Sequence, residues 1–351
     1  MSTSKVKVMV VDDSAFMRKF VSDIVNSSED MYVIDTAVNG LEAVSKVVDR
    51  RPDVVLMDVE MPIMDGLTAV KKIMEVRPTP IIMLSALTKE GAETTLKALE
   101  LGAIDFVLKP SNFIYFKTQN IDQLLIEKIL MASKTNLFNL SPVSRVDHLH
   151  KATQTMNLKD NLKNLVAIGV STGGPKALQY VVPQLPADLP SAVLIVQHMP
   201  AGFTRSLANR LNEISNMLVK EAEDGENINP GTVYIAPGGY HMKVYAKDRK
   251  YFIGLSNEPP VKGLKPCFDI LLSSLSKIDL KIIAVIMTGM GNDGTKGLIE
   301  LRDREVYMIA QNEKTSTIYG MPKSAIETGL IDEVLPLDRI AEKIEKIARG
   351  F

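Results

Sequence analysis

Twice along this 351-residue chain, short runs rich in Val, Ile and Met alternate with stretches whose apolar residues recur at helical spacing. In the first series VKVMVV, YVIDTAV, DVVLMD, PIIMLSA and IDFVLK read as strands. AFMRKFVSDIVNSS, GLEAVSKVVDR, GLTAVKKIMEV and ETTLKALELG read as the helices between them, and residues 121–134 as the closing helix. Strands joined through helices must run parallel, because a parallel pair needs a long crossover. Five such units predict a doubly wound sheet. After residue 135 the periodicity fails in a stretch rich in Asn, Ser and Thr, so residues 136–160 are read as a linker. Alternation then resumes with LVAIGV, SAVLIVQHM, KIIAVIM and VYMIAQNE as strands, and it ends on a charged amphipathic helix near Arg339 to Arg349. GTVYIAPGGYHMKVY and YFIGLS predict a local β-hairpin insertion. The expected architecture is therefore two α/β domains, 1–135 and 161–351, each built on a mostly parallel sheet.

Composition narrows the function classes. Forty-one basic residues against forty-two acidic ones provide no field that would draw nucleic acid. Cys267 is the single cysteine, which excludes an internal disulfide framework. No apolar run approaches the ~18 residues that suggest a membrane span, and Asp12 and Asp13 interrupt the N-terminal apolar segment too early for a secretory signal. These features predict a cytoplasmic protein with no membrane insertion.

In a parallel sheet the C-terminal strand ends converge on one edge, so Asp12, Asp13, Asp58, Ser85 and Lys109 should share a pocket. Three gathered carboxylates repel unless a cation joins them, and oxygen-only ligation suits Mg2+. A lysine and a hydroxyl beside them suit a phosphoryl group on a carboxylate. With VDDS, MDVEMPIMDG and DFVLKP in these places, the segment resembles the receiver domain of bacterial two-component response regulators. That resemblance implies a flavodoxin-like sheet, phosphorylation of Asp58, Mg2+ held by Asp12, Asp13 and Asp58, and a switch made of Ser85, Phe106 and Lys109. Phosphorylation is expected to draw Ser85 toward the phosphoryl group and Phe106 inward. The resemblance also implies a cis Lys109–Pro110 bond.

The second series opens on LVAIGVSTGGP, in which Gly169, Ser171 and Gly173 form GxSxG. A strand before and Pro175 at a helix start after it place Ser171 in a tight strand-to-helix turn, where a hydroxyl is lifted clear for nucleophilic attack. Ser171, His198 and Asp293 each fall past a different strand's C-terminal end. One edge would then unite a nucleophile, a base and a carboxylate that orients the base. The order Ser, His, Asp is not that of α/β-hydrolases. His241 is a rival base, and His148 and His150 form a weak metal-type pair in the linker.

GVSTGGP, VQHMPAGFTRSLANRL, YIAPGGYHM, TGMGNDG and AQNEKTSTIYGMP resemble the successive motifs of the CheB family of chemotaxis protein-glutamate methylesterases. The resemblance implies a Rossmann-like esterase domain in which Ser171 attacks, His198 acts as base then acid, and Asp293 orients His198. It further implies that the Met290 main-chain N–H binds the oxyanion, with Thr172 close by. The implied substrates are glutamyl γ-methyl esters of methyl-accepting chemoreceptors, with deamidation of receptor glutamines as a companion activity. The implied phosphodonor is the chemotaxis histidine kinase, and the esterase reaction needs no cofactor. Two alternatives come from the residues themselves. Gly289, Gly291 and Gly294 spell GxGxxG, with Glu313 about 20 residues on, as in a dinucleotide fold. A pyrophosphate there would have to approach the Asp293 carboxylate. A catalytically silent receptor-binding adaptor would not need the Ser, His and Asp set. No helix-turn-helix with a basic surface follows the receiver.

Overall fold

The computed structural model describes residues 5–109, 121–135 and 162–350. The chain divides into two compact units, Met1–Leu140 and Ser141–Phe351. The expected linker with His148 and His150, and Pro110 of the expected cis bond, lie outside the described residues.

Unit one runs β1 (Val6–Val11), α1 (Ala15–Ser27), β2 (Met31–Ala37), α2 (Gly40–Arg50), β3 (Val54–Asp58), α3 (Gly66–Val76), β4 (Ile81–Ser85), α4 (Lys89–Leu101), β5 (Asp105–Leu108) and α5 (Ile121–Ala132). The strands pair in the order β2-β1-β3-β4-β5, every pair parallel. The interior strands β3 and β4 are buried along their whole length, which is why they read as continuous apolar runs rather than alternating ones. Helices α1 to α4 begin where Ser14, Asn39, Asp65 and Thr88 accept hydrogen bonds from the N–H groups of Met17, Glu42, Thr68 and Gly91.

Unit two contains β6 (Asn164–Val170), α6 (Gly174–Val181), β7 (Ser191–Gln197), α7 (Phe203–Ile214), β8 (Leu218–Glu221), β9 (Thr232–Ile235), β10 (His241–Lys247) and β11 (Lys250–Ser256). It continues with α8 (Phe268–Leu275), β12 (Lys281–Ile286), α9 (Thr295–Leu301), β13 (Val306–Gln311), α10 (Met321–Ile326), β14 (Glu333–Leu335) and α11 (Leu337–Arg349). Seven strands form one sheet in the order β14-β13-β12-β6-β7-β9-β8, with all pairs parallel. The hairpin is narrower than its sequence suggests. Residues Thr232–Ile235 belong to the large parallel sheet, and only β10 and β11 pair as an antiparallel ribbon. The reason lies in β9's four consecutive buried residues, which need cover on both faces.

In both sheets the first strand is interior, so the connections leave it in opposite directions. The reversal falls between β1 and β3 in unit one and between β6 and β12 in unit two. A crevice opens at such a point outside the strands' carboxyl ends.

The glycines of GxSxG have separate structural reasons. Gly173 adopts φ +77° as it caps α6, a conformation that L side chains avoid. Gly169 lies in β6 beneath Phe268, and a Cβ there would fall inside the phenyl ring. Gly169→Ala should therefore destabilise unit two by about 1–3 kcal/mol in urea denaturation, the range for overpacking a closed core. Gly254→Ala in the hairpin, where a Cβ would meet only ordinary contact at 3.4 Å, should leave the midpoint nearly unchanged.

Candidate functional site

Ser171 follows the last residue of β6 and His198 follows the last residue of β7. The two strands are in register at Val170 and Gln197, and the His198 N–H donates to the Val170 carbonyl at 3.1 Å. The buried Gln197 side chain donates from Nε2 to the Ser171 carbonyl at 3.0 Å and the His198 carbonyl at 3.1 Å, so one amide ties both loops. Asp293 lies farther from its strand than expected, seven residues past β12 and immediately before Gly294, the residue that caps α9. The loop is nonetheless folded back, and His198 Nε2 is 2.7 Å from Asp293 Oδ2.

The Asp293 carboxylate is only 4% exposed, yet it is fully hydrogen-bonded. Oδ2 also accepts the Phe268 N–H at 2.6 Å, while Oδ1 accepts the N–H groups of Asp269 at 2.9 Å and Gly294 at 3.0 Å and the Cys267 thiol at 3.1 Å. Burial alone would raise its pKa. The hydrogen bond and charge of His198, with the N–H groups of Phe268 and Asp269, outweigh burial and hold the carboxyl well below its ordinary value. The neighbouring groups respond in the opposite sense. Burial, then the Asp293 charge, pushes the Cys267 thiol up to about 12, so it remains a protonated donor. Burial likewise raises Asp269, whose Oδ1 accepts the Gly297 N–H at 2.8 Å and ties α8 to α9.

With Nε2 committed to Asp293, Nδ1 is the His198 nitrogen left to take a serine proton. No hydrogen bond joins Ser171 to His198 among the described residues, an arrangement common before substrate tightens such a pair. The Ser171 N–H donates to the Thr288 carbonyl at 3.0 Å, and Gly289 packs against Ser171 closely enough that a Cβ would strike the serine's own. The Gly289 carbonyl is anchored by the N–H groups of Gly320 at 3.1 Å and Met321 at 2.9 Å. In a trans peptide the N–H points opposite to the C=O, so the Met290 N–H is turned away from that anchor. It has no hydrogen-bond partner among the described residues.

The rival readings lose their support here. His241 is fully buried, its Nε2 donates to the Pro259 carbonyl at 3.1 Å, and no hydrogen bond links it to Ser171, His198 or Asp293. In the GxGxxG loop, the Gly294 N–H that would meet a pyrophosphate is spent on Asp293. The residues missed from sequence are Cys267, which caps the short helix α8, and Phe268 and Asp269, which open it; its eight residues give too little periodicity to notice.

In unit one, four of the five residues expected to converge, Asp12, Asp13, Asp58 and Lys109, lie together. Lys109 Nζ lies 2.7 Å from both Asp12 Oδ2 and Asp58 Oδ2, and oxygens of Asp12, Asp13 and Asp58 lie within 4.8 Å of one another. An all-oxygen set with a free, exposed Asp13 fits a hard divalent cation such as Mg2+. Burial, reinforced by the Asp12 charge, raises the Asp58 pKa although Lys109 opposes the shift. Burial tends to lower Lys109, but its hydrogen bonds to Asp12 and Asp58 reverse that and raise it. Asp13, Asp58, Glu60, Met61 and Lys109 are among the lining of a cleft of about 500 Å³. Ser85 is engaged with α4, accepting from Thr95 Oγ1 at 2.7 Å. The Phe106 ring is turned inward and 6% exposed, with Lys128 Nζ 5.8 Å from the ring centroid. Lys128 also pairs with Asp105 at 2.7 Å and bonds the Phe106 carbonyl.

The depressed Asp293 pKa gives a signed pH dependence. A carboxyl whose folded pKa is below its unfolded one stabilises the fold fully above the ordinary value of 3.8 and loses that contribution as pH falls toward the lower folded value. Asp293→Asn should therefore cost about 3 kcal/mol at neutral pH, as expected when one partner of a buried pair is removed. Equilibrium unfolding of both proteins should show that deficit constant down to about pH 4 and shrinking below it.

Among the described residues no helix is long and apolar enough to cross a membrane. Residues 8–118 match the response regulator receiver domain, and residues 166–344 match CheB methylesterase. The protein-glutamate methylesterase/protein-glutamine glutaminase 1 of Syntrophomonas wolfei is 46% identical over 346 residues, 96% of this chain and 98% of that protein. Its counterpart from Halalkalibacterium halodurans is 48% identical over 342 residues, with 97% and 98% covered. The crystal structure of the Thermotoga maritima CheB methylesterase catalytic domain superposes with a TM-score of 0.51 at 45% identity, covering 52% of this chain and 97% of that one. The two receiver-edge and esterase-edge sites thus sit in a chain that belongs to the CheB methylesterase family and carries a response-regulator receiver at its N-terminal end.

Proposed function

We propose that this chain is a phosphorylation-regulated serine esterase that hydrolyses glutamyl γ-methyl esters on methyl-accepting chemoreceptors, with deamidation of receptor glutamines at the same site. The observation that carries the reading is the buried His198–Asp293 pair at 2.7 Å beside a serine in a strand-to-helix turn. Ser171 Oγ attacks the ester carbonyl while its proton passes to His198 Nδ1. Asp293 stabilises the imidazolium through Nε2. The Met290 N–H receives the developing oxyanion. Collapse of the tetrahedral intermediate breaks the bond to methoxide, which takes the proton from His198 and leaves as methanol. Water then attacks the acyl-serine with His198 as base, and glutamate is released. A glutamine side chain follows the same course with ammonia as the leaving group. The esterase steps use side chains and main-chain groups alone.

In the receiver, Asp58 accepts the phosphoryl group, supplied by a chemotaxis histidine kinase. Asp12, Asp13 and Asp58 would hold Mg2+, which when bound screens the phosphoryl oxygens. Lys109 is placed to pair with one of those oxygens, and Ser85 must exchange its Thr95 partner to reach another. The oxygen-only donor set and the lysine between two carboxylates support this assignment.

Methanol release from methylated receptor membranes tests both halves. Ser171→Ala and His198→Ala should each lower turnover by at least ~10³-fold, since the pair acts as a unit. Acetyl phosphate with Mg2+ should raise turnover by the intact chain, and Asp58→Asn should abolish that rise while keeping basal activity. Folded Ser171→Ala protein with substantial turnover would contradict the nucleophile assignment.

A further inference from the structure

Thr288 lies two residues past β12, at the reversal point of the sheet, and is 1% exposed. Each of its polar groups is committed to a different segment. Its N–H donates to Gln311 Oε1 at 2.8 Å, and its carbonyl accepts the Ser171 N–H at 3.0 Å. Its hydroxyl donates to the Thr172 carbonyl at 2.9 Å and accepts the Ile318 N–H at 3.0 Å. Gln311, fully buried at the end of β13, is held in turn through Nε2 to the Thr315 carbonyl at 2.8 Å. The next residue, Gly289, bonds Ile318 through its N–H at 3.0 Å and the start of α10 through its carbonyl.

This threonine is therefore bonded to the turn that carries Ser171 and joined, through the adjoining peptide, to the peptide group that presents the Met290 N–H. A β-branched side chain has few rotamers, so its hydroxyl stays where these bonds need it. Valine has the same shape but would lose the hydroxyl's bond to the Thr172 carbonyl and leave the Ile318 N–H without its acceptor in a buried place. We propose that Thr288 is a positioning residue that sets the separation between the Ser171 hydroxyl and the Met290 N–H. The inference rests on the serine-esterase reading above and deepens it. A misplacement of about 1 Å at a reacting centre can cost ~10²-fold in rate, and an oxyanion donor matters in the transition state more than in substrate binding. Thr288 should thus act on kcat and leave KM nearly alone.

The test uses the full chain with methylated receptor membranes and compares Thr288→Val, Thr288→Ser and wild type. Thr288→Val should lower kcat by roughly 30- to 100-fold with KM within about threefold, and Thr288→Ser should restore kcat to within about threefold. A second readout is inhibition by phenylboronic acid. Its boron bonds the Ser171 oxygen to form a tetrahedral anion while the serine proton passes to His198, so its Ki should rise in Thr288→Val by a factor similar to the fall in kcat. If the valine variant does not fold, Thr288→Ala replaces it in both measurements. An unchanged kcat in a folded hydroxyl-less variant, a loss that serine does not restore, or an unchanged boronate Ki would each overturn the positioning role. Ser171→Ala measured alongside separates the two claims. If it is inactive the nucleophile assignment stands whatever Thr288 does, and if it is active the esterase reading falls and the positioning role with it.

Discussion

A parallel sheet whose first strand lies in its interior must send its connections off in opposite directions, and the crevice this opens beyond the strand ends is the constraint on which both units depend. In unit two the reversal falls between β6 and β12, and the loops that leave those strands carry Ser171 and Asp293. In unit one it falls between β1, which Asp12 follows directly, and β3, which ends at Asp58. Neither arrangement needs a long-range device to gather its polar groups, because strand register does so: Val170 pairs Gln197, and Met57 pairs Val11. What differs is how each crevice treats the carboxylate placed in it.

Asp293 is saturated. Three fixed N–H groups, a thiol and an imidazole surround it, and two of those N–H groups come from the start of α8. Such a carboxylate stays ionised and still, which suits a group that must orient a base without reacting. Asp58 is left under-compensated. Among the described residues its Oδ1 takes only the Val59 N–H at 2.7 Å, and its Oδ2 meets only a lysine that Asp12 shares. Burial then raises its pKa, with the Asp12 charge adding to the shift and Lys109 opposing it. A carboxylate that is to become an acyl phosphate needs that freedom, because every fixed donor would have to be broken before an oxygen could attack. The two crevices thus differ in the number of main-chain donors aimed at the carboxylate, three at Asp293 and one at Asp58 among the described residues, a difference that suits the separate roles proposed for them.

Much of this was legible in the sequence, for physical reasons that also explain the gaps. Buried parallel strands are continuous apolar runs, so β3, β4, β6, β7 and β12 stand out, and the residue at each C-terminal end is a site candidate by position alone. Asp12, Asp58, Ser85, Lys109, Ser171 and His198 were proposed on that ground. Asp293 was proposed too, although its place at the head of α9 rather than at a strand end depends on a loop whose course no periodicity reveals. The clamp on Asp293 was not legible, because Cys267 caps and Phe268 and Asp269 open a helix of only eight residues, and the last two act through main-chain N–H groups that carry no sequence mark. Thr288, Gln311 and Gln197 were passed over for a related reason. Each is a buried polar side chain serving carbonyls and amides of distant segments, and composition says nothing about where those segments end up. The placement of Thr232–Ile235 in a hairpin failed because the run was read together with the strand that follows it, whereas its four buried residues lie between β7 and β8 in the parallel sheet. Phe106 was legible as a ring near the switch. Its inward pose was not, since that pose depends on Lys128 from a helix far along the chain.

The central claim is that hydrolysis passes through an acyl-enzyme on Ser171, and the most direct measurement is mass spectrometry of the protein quenched in acid during turnover of a methylated receptor peptide. The account predicts a peptide containing Ser171 whose mass has grown by that of the substrate acyl group, more abundant when deacylation is slowed at low pH and lost in Ser171→Ala. Turnover with no such adduct, or an adduct on another residue that persists in Ser171→Ala, would contradict it.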